Sequence, residues 1–202
     1  MVKLLSLFGS VVYVFVPYIS IAGVPTEQVR TTVDKVVAIL QNPELKSESK
    51  REERRNQLRQ AIYPRFDFTE MAKRALGSHW GRRTTEEQRE FVKHFSELLE
   101  KSYVDQIDSY NSEKIAYVRE VQDKDRAEVD TKILGRKGEA LPVNYKLHLV
   151  NGEWKVYDVV IENISLVNNY RSQFNRVIAT SSYEELIRRL KQQELKITTK
   201  GR

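Results

Sequence analysis

The chain has 202 residues, a formal charge of +6 and no cysteine. That length suffices for one domain with its own core. The absence of thiols excludes disulfide staples, thiol nucleophiles and thiolate metal sites.

Residues 3–22, KLLSLFGSVVYVFVPYISIA, open on Lys3, continue as an apolar run and are free of acidic residues. A cut after Ala22 places the small residues Ser20 and Ala22 where a signal peptidase requires them, so 1–22 is expected to be a secretory signal peptide. An uncleaved anchor is the competing reading, because the run is nearly long enough to span a bilayer; Pro17 favours cleavage. Residues 23–202 then form a single domain in an exported protein. Losing Lys3 leaves that domain at about +5, which suits anionic lipid or an acidic partner protein better than nucleic acid outside the cytoplasm.

Apolar spacing predicts a helix from Pro25 and Thr26 to Asn42, with Val29, Val33, Val36, Val37 and Leu40 on one face. Glu48 to Ile62 reads as a highly charged helix with Leu58 and Ile62 as its apolar contacts, broken by Pro64. Asp67 and Glu70 form a capping-box pair for a short helix closed by Gly77. Thr84 and Glu87 open the longest helix, striped by Phe91, Phe95, Leu98, Leu99, Tyr103 and Ile107.

The period then falls to two, and four strands follow. Lys114–Gln122 sets Ile115, Tyr117 and Val121 on one side. Arg126–Leu134 alternates cleanly. Leu141–Leu149 sets Leu141, Val143, Tyr145, Leu147 and Leu149 against Asn144, Lys146 and His148. Asn151-Gly152 signals a hairpin into Trp154–Glu162. There the apolar side switches from Trp154 and Val156 to Tyr157, Val159 and Ile161, as at a bulge or in a strand buried on both faces. Two helices end the fold, carrying Leu166, Tyr170, Phe174, Val177 and Ile178, then Leu186, Ile187 and Leu190; the tail from Thr198 is expected to fray. The expected class is α+β, with helices on one face of a curved, mainly antiparallel four-stranded sheet whose other face is wet.

Catalytic machinery is not evident. His79, His94 and His148 are not spaced as a helical ligand pair, no loop has calcium spacing, and the glycines stand singly. Asp158, in an apolar strand, is the best candidate for a general base; pairing with an Arg or capping local backbone is the alternative role. The basic clusters Arg51–Arg59, Arg82-Arg83 and Arg188–Lys191 lack interleaved aromatics and read as solvated faces, with docking of anionic headgroups or an acidic partner surface as the alternative.

Two stretches carry a resemblance. One is Ala75-Leu76-Gly77-Ser78-His79-Trp80 with Thr84-Thr85-Glu86-Glu87-Gln88 and the helix of Phe91, Phe95, Leu98 and Tyr103. The other is Trp154-Lys155-Val156-Tyr157-Asp158-Val159, Ile161-Glu162, Ser165-Leu166-Val167 and Tyr170-Arg171-Ser172-Gln173-Phe174. Both resemble the MlaC or toluene-tolerance family, over roughly Thr26 to Ile197. Asn163 departs from the glycine usual after the Ile-Glu pair, but Asn tolerates the left-handed backbone such a turn needs.

The resemblance implies a non-enzymatic periplasmic phospholipid carrier, without metal or cofactor beyond its lipid cargo. Its implied partners are an outer-membrane lipoprotein complex and an inner-membrane ABC transporter of the MCE type. It also implies a nuclear-transport-factor-like cone with an acyl-chain pocket between sheet and helices. On that architecture Tyr103, Val143, Tyr145, Leu147, Val159, Ile161, Leu166 and Tyr170 are the expected pocket lining, with ordinary core the alternative for each. A hopanoid carrier, an envelope enzyme acting on a small apolar substrate, and an interaction module with a packed interior remain as other readings.

Overall fold

A computed structural model describes residues 24–108, 113–135, 138–192 and 194–195. The expected signal peptide and the tail from Thr198 lie outside these residues. Helices α1 (Val24–Gln41), α2 (Arg51–Ile62), α3 (Phe68–Leu76) and α4 (Thr85–Asp108) come first. Strands β1 (Lys114–Asp123), β2 (Arg126–Leu134), β3 (Ala140–Val150), β4 (Glu153–Ile161) and β5 (Ile164–Ser165) follow, then α5 (Leu166–Thr180) and α6 (Tyr183–Lys191). Among the described residues no helix is long and apolar enough to cross a membrane.

The class is α+β, but the sheet is an antiparallel meander of five strands, β1-β2-β3-β4-β5, rather than four. Glu162 and Asn163 turn with φ of 49° and 66°, and paired positive φ values favour a two-residue hairpin. That hairpin returns Ile164 and Ser165 against Ile161 and Val160. Two residues are too few for a periodic signal, so the fifth strand was not readable in the sequence.

Two bulges set which side chains face inward. On β1 the register shifts between Tyr117 and Arg119, leaving Val118 as the extra residue. Beyond it Glu120 stands opposite Val129 and Val121 opposite Glu128. Val121 therefore does not share a side with Ile115 and Tyr117, and it is exposed. Glu120 takes the inward place, where its carboxylate accepts from Thr26 N (2.8 Å) and Thr26 Oγ1 (2.5 Å), tying the start of α1 to the sheet. On β4, Lys146 faces Asp158 while the next residue, Leu147, faces Val156, so Tyr157 is the extra residue. The expected switch of face is this bulge. Tyr157 marks the switch and does not belong to the side of Val159 and Ile161.

The outer face of β3 is not wet throughout. His148 is largely covered, its Nε2 3.0 Å from the Asp67 carboxylate and its ring edge-on to Tyr157. Asp67 also caps α3, accepting from Glu70 N at 2.9 Å. Reciprocal capping by Glu70 does not occur: Asp67 N donates to Val156 O, and the Glu70 carboxylate pairs with Arg74. At α4 the box is complete, with Thr84 N donating to Glu87 and Glu87 N donating to Thr84.

Buried side chains form two clusters. One packs α3 (Met71, Leu76) and α6 (Leu186, Ile187) around the rings of Phe91 and Phe95 on α4 and Tyr170 and Phe174 on α5. The other joins α1 to the sheet through Val29, Val129, Val143, Leu147, Val156 and Val159. Phe66 and Tyr103 pack against both. An interior usually closes into one contiguous core. Here the space between the two clusters is open.

Candidate functional site

That space is a cavity of about 560 Å³, within the range of small-molecule sites. Its sheet wall is Ile115, Ile133, Leu141, Val143, Tyr145, Val156, Val159 and Ile161. Opposite stand Leu99, Tyr103 and Ile107 of α4, with Leu166 at the start of α5. A third apolar wall is Val29, Val33, Val36, Val37 and Leu40 of α1, with Leu58 and Ile62 of α2, and charged side chains such as Arg59, Arg65, Glu100 and Glu139 also reach the lining.

Of the eight expected lining residues, the structure brings six together around this cavity: Tyr103, Val143, Tyr145, Val159, Ile161 and Leu166. Leu147 and Tyr170 are not among its walls. Leu147 lies beyond the β4 bulge, fully buried in the cluster of α1 and the sheet. Tyr170 is fully buried in the helical cluster, its ring against Phe95 and Phe174.

The contribution of α1 and α2 was missed as a site. The α1 stripe is regular, but only Val29 among its Val and Leu residues is fully buried. The others face the cavity half-covered. The signal was available: α2 is too charged to own a core, and its Leu58 and Ile62 need apolar space beneath them.

The two tyrosines of the wall are neutral. Burial pushes the Tyr145 phenol up to about 12 and raises that of Tyr103 as well. Neither carries charge at neutral pH. Charged groups cluster where α2 meets α4: the Arg59 guanidinium grips the Glu100 carboxylate with both ends of its fork, and Tyr63 OH donates to Glu100 Oε2 at 3.0 Å. Hydrogen bonds from Arg59 and Tyr63 hold the Glu100 carboxyl below its usual range. Arg65 braces α1 against β4 through Gln28 Oε1 (2.6 Å) and Trp154 O (2.5 Å).

The Arg59–Glu100 clasp fastens a charged helix over apolar space, so Glu100→Gln should speed ligand exchange without unfolding the protein. We expect transfer of a fluorescent acyl-chain probe from protein to vesicles to quicken by about two- to fivefold, the factor set by an exposed ion pair worth ~1 kcal/mol or less. An unchanged rate would show that α2 does not gate the cavity. A carboxyl with a depressed folded pKa stabilises the clasp above its unfolded pKa and loses that effect as pH falls through the folded value. Exchange by the unmodified protein should therefore quicken only in acid, and Glu100→Gln should remove that dependence.

Asp158 is buried but does not line the cavity. It accepts from Ser165 Oγ at 2.6 Å and Val167 N at 3.1 Å. These are the bonds of a backbone cap, the alternative role expected for it. His79 Nε2 lies 3.0 Å from Asn175 Oδ1, and His94 Nδ1 lies 3.0 Å from Glu97 Oε2. Among the described residues no group of three or more His, Asp or Glu could hold a metal ion.

Fold and cavity together define a class: an α+β domain that encloses an apolar chamber between a meander sheet and its helices. Within it, the profile of the MlaC protein family matches residues 30–192, and the chain belongs to that family. Toluene tolerance protein ttg2D of Pseudomonas putida is 30% identical over 119 residues, spanning 58% of this chain and 55% of that relative. The intermembrane phospholipid transport system binding protein MlaC of Haemophilus influenzae is 23% identical over 173 residues, 83% of this chain and 81% of the relative. The phospholipid-binding protein of Ralstonia solanacearum, solved in complex with a phospholipid, superposes with a TM-score of 0.75 at 28% identity. That likeness covers 85% of this chain and 96% of the solved one.

Proposed function

We propose that the chain is a periplasmic phospholipid carrier, exported through cleavage of residues 1–22, that shelters acyl chains in the cavity described above. It takes lipid from one membrane complex to another, between an outer-membrane lipoprotein complex and an inner-membrane MCE-type ABC transporter, and so maintains outer-membrane lipid asymmetry. The observation that carries this reading is the apolar chamber. A similar solved structure described as a phospholipid complex supports the choice of cargo.

The physics of such a role is a balance. Burying an acyl chain is worth about 0.8 kcal/mol per methylene relative to water, so lipid does not cross an aqueous gap unaided. Between a bilayer and an apolar pocket both ends of the transfer are dry, and exchange is nearly free. The headgroup stays at the solvent-facing mouth and is read weakly. A passive chamber has no energy source, so direction comes from the partners.

Native mass spectrometry of gently purified protein tests this directly. A species heavier by one phospholipid is expected. Protein that is empty as purified, and stays empty after incubation with phospholipid vesicles, would overturn the carrier role. The added mass also separates a phospholipid from a hopanoid.

A further inference from the structure

A second concavity, of about 700 Å³, lies on the far side of β3 and β4 from the apolar chamber and shares no residue with it. Its floor is Lys146 and Tyr157, and its walls are the end of α3 with the following turn and the first two turns of α5. Four cations line it, Lys73, Arg74, Lys146 and Arg171, against two carboxylates, Glu70 and Asp158. Asp158 is committed to Ser165 and Val167. Glu70 answers Arg74 at 2.8 Å and Lys73 at 3.8 Å. Among the described residues, no carboxylate lies within ion-pair distance of Lys146 or Arg171.

Their positions are built. Gly77 has a φ of +58°, and a Cβ there would come within 2.9 Å of Arg171 Nε. The glycine thus serves both the turn and the seating of the guanidinium, which stays exposed. Arg74 lies over the Tyr157 ring, 4.2 Å from its centroid, and the β4 bulge holds that ring on this face. The segment around Gly77 meets Tyr157, Asp158, Val167, Asn168 and Arg171 here, while Val159, Ile161 and Leu166 between them face the apolar chamber.

We propose that this groove docks an acidic segment of a partner protein, whose carboxylates pair with Arg171 and Lys146. Its size favours a peptide over a single inorganic anion, since at ~30 Å³ per water it has room for about twenty waters. Arg171 offers the planar fork that binds carboxylate in bidentate fashion. Docking here leaves the lipid chamber unobstructed, on the opposite side of the sheet.

The test uses the ¹⁵N-labelled 1–202 chain, purified as the cell leaves it, titrated with acetylated hexaglutamate at low salt. Backbone amide shifts should concentrate at Gly77, Ser78, Gly81 and Asn168, and fade as salt screens the charges. Arg171→Gln and Lys146→Gln should each weaken the interaction by about threefold or more. Among the described residues the Lys146 side chain has no hydrogen bond or ion pair to lose, so that variant reports on docking even if Arg171→Gln disturbs the Gly77 turn. Arg176→Gln, an exposed change further along α5, should leave the affinity unaltered. The proposal is overturned by shifts spread over the basic surface, or by an equal effect of Arg176→Gln. It is equally overturned if inorganic phosphate reproduces the pattern while the peptide gives none. Bound-lipid mass on the same samples tests the carrier role separately.

Discussion

Val143→Asp should abolish phospholipid co-purification while leaving a folded protein. Val143 is 7% exposed, lies on the chamber wall, and pairs with Thr131 on one side and Ile161 on the other. A carboxylate there finds water while the chamber is empty, but an acyl chain would strip that water away. Burying an unpaired carboxylate costs several kcal/mol, and each ~1.4 kcal/mol is a tenfold loss of affinity, so a loss of about a hundredfold or more is expected. Native mass spectrometry reads occupancy, and circular dichroism with thermal melting reads the fold. Val143→Trp is the companion variant. It fills the space without charge and should also exclude lipid. Full occupancy in both variants would mean that lipid does not sit against this strand; unfolding in both would make Val143 core instead.

Asp158→Ala should be the most destabilising of these changes, because it removes the link that starts α5. The carboxylate takes Ser165 Oγ and Val167 N, while Ser165 Oγ itself accepts from Asn168 N at 3.0 Å. Alanine leaves a buried N–H without a partner and loosens the cap. Hydrogen bonds to a buried charge contribute roughly 1.5–3 kcal/mol each, so losing two costs about 3 kcal/mol at the low end of that range. For a domain of this size that is a fall in melting temperature of about 6–12 °C. Asp158→Asn keeps an acceptor and should recover part of the loss. Wild-type melting in the alanine variant would show that the carboxylate does not hold α5.

Both variants bear on what the sequence could and could not tell. Long amphipathic stretches were readable because their period reflects burial directly; Phe91, Phe95, Leu98 and Leu99 on α4 all fall in the core. Strand limits were readable from strict alternation and from the Asn151-Gly152 turn, where φ is 51° and 83°. The cavity was not readable. An apolar side chain that packs against its neighbours and one that faces a void leave the same pattern, so Tyr170 and Tyr103 look alike in the stripe while one is core and the other is wall. Val121 failed for a different reason. The bulge at Val118 carries no compositional mark, and a single extra residue reverses everything after it. Glu120, beside Val121, is thereby turned inward and anchors α1.

The counterpart on β4 has the larger effect. Were that strand paired without its irregularity, Asp158 would stand opposite Tyr145 and project its charge into the greasy interior, while Val159 and Ile161 turned out to the solvent. One surplus tyrosine therefore sorts polar from oily along the whole second half of the strand. Removing Tyr157 would leave a regular ladder with the same inside and outside, and would forfeit the ring that Arg74, Arg126 and His148 pack against. The partition would survive the loss of that residue, but not a realignment that kept it.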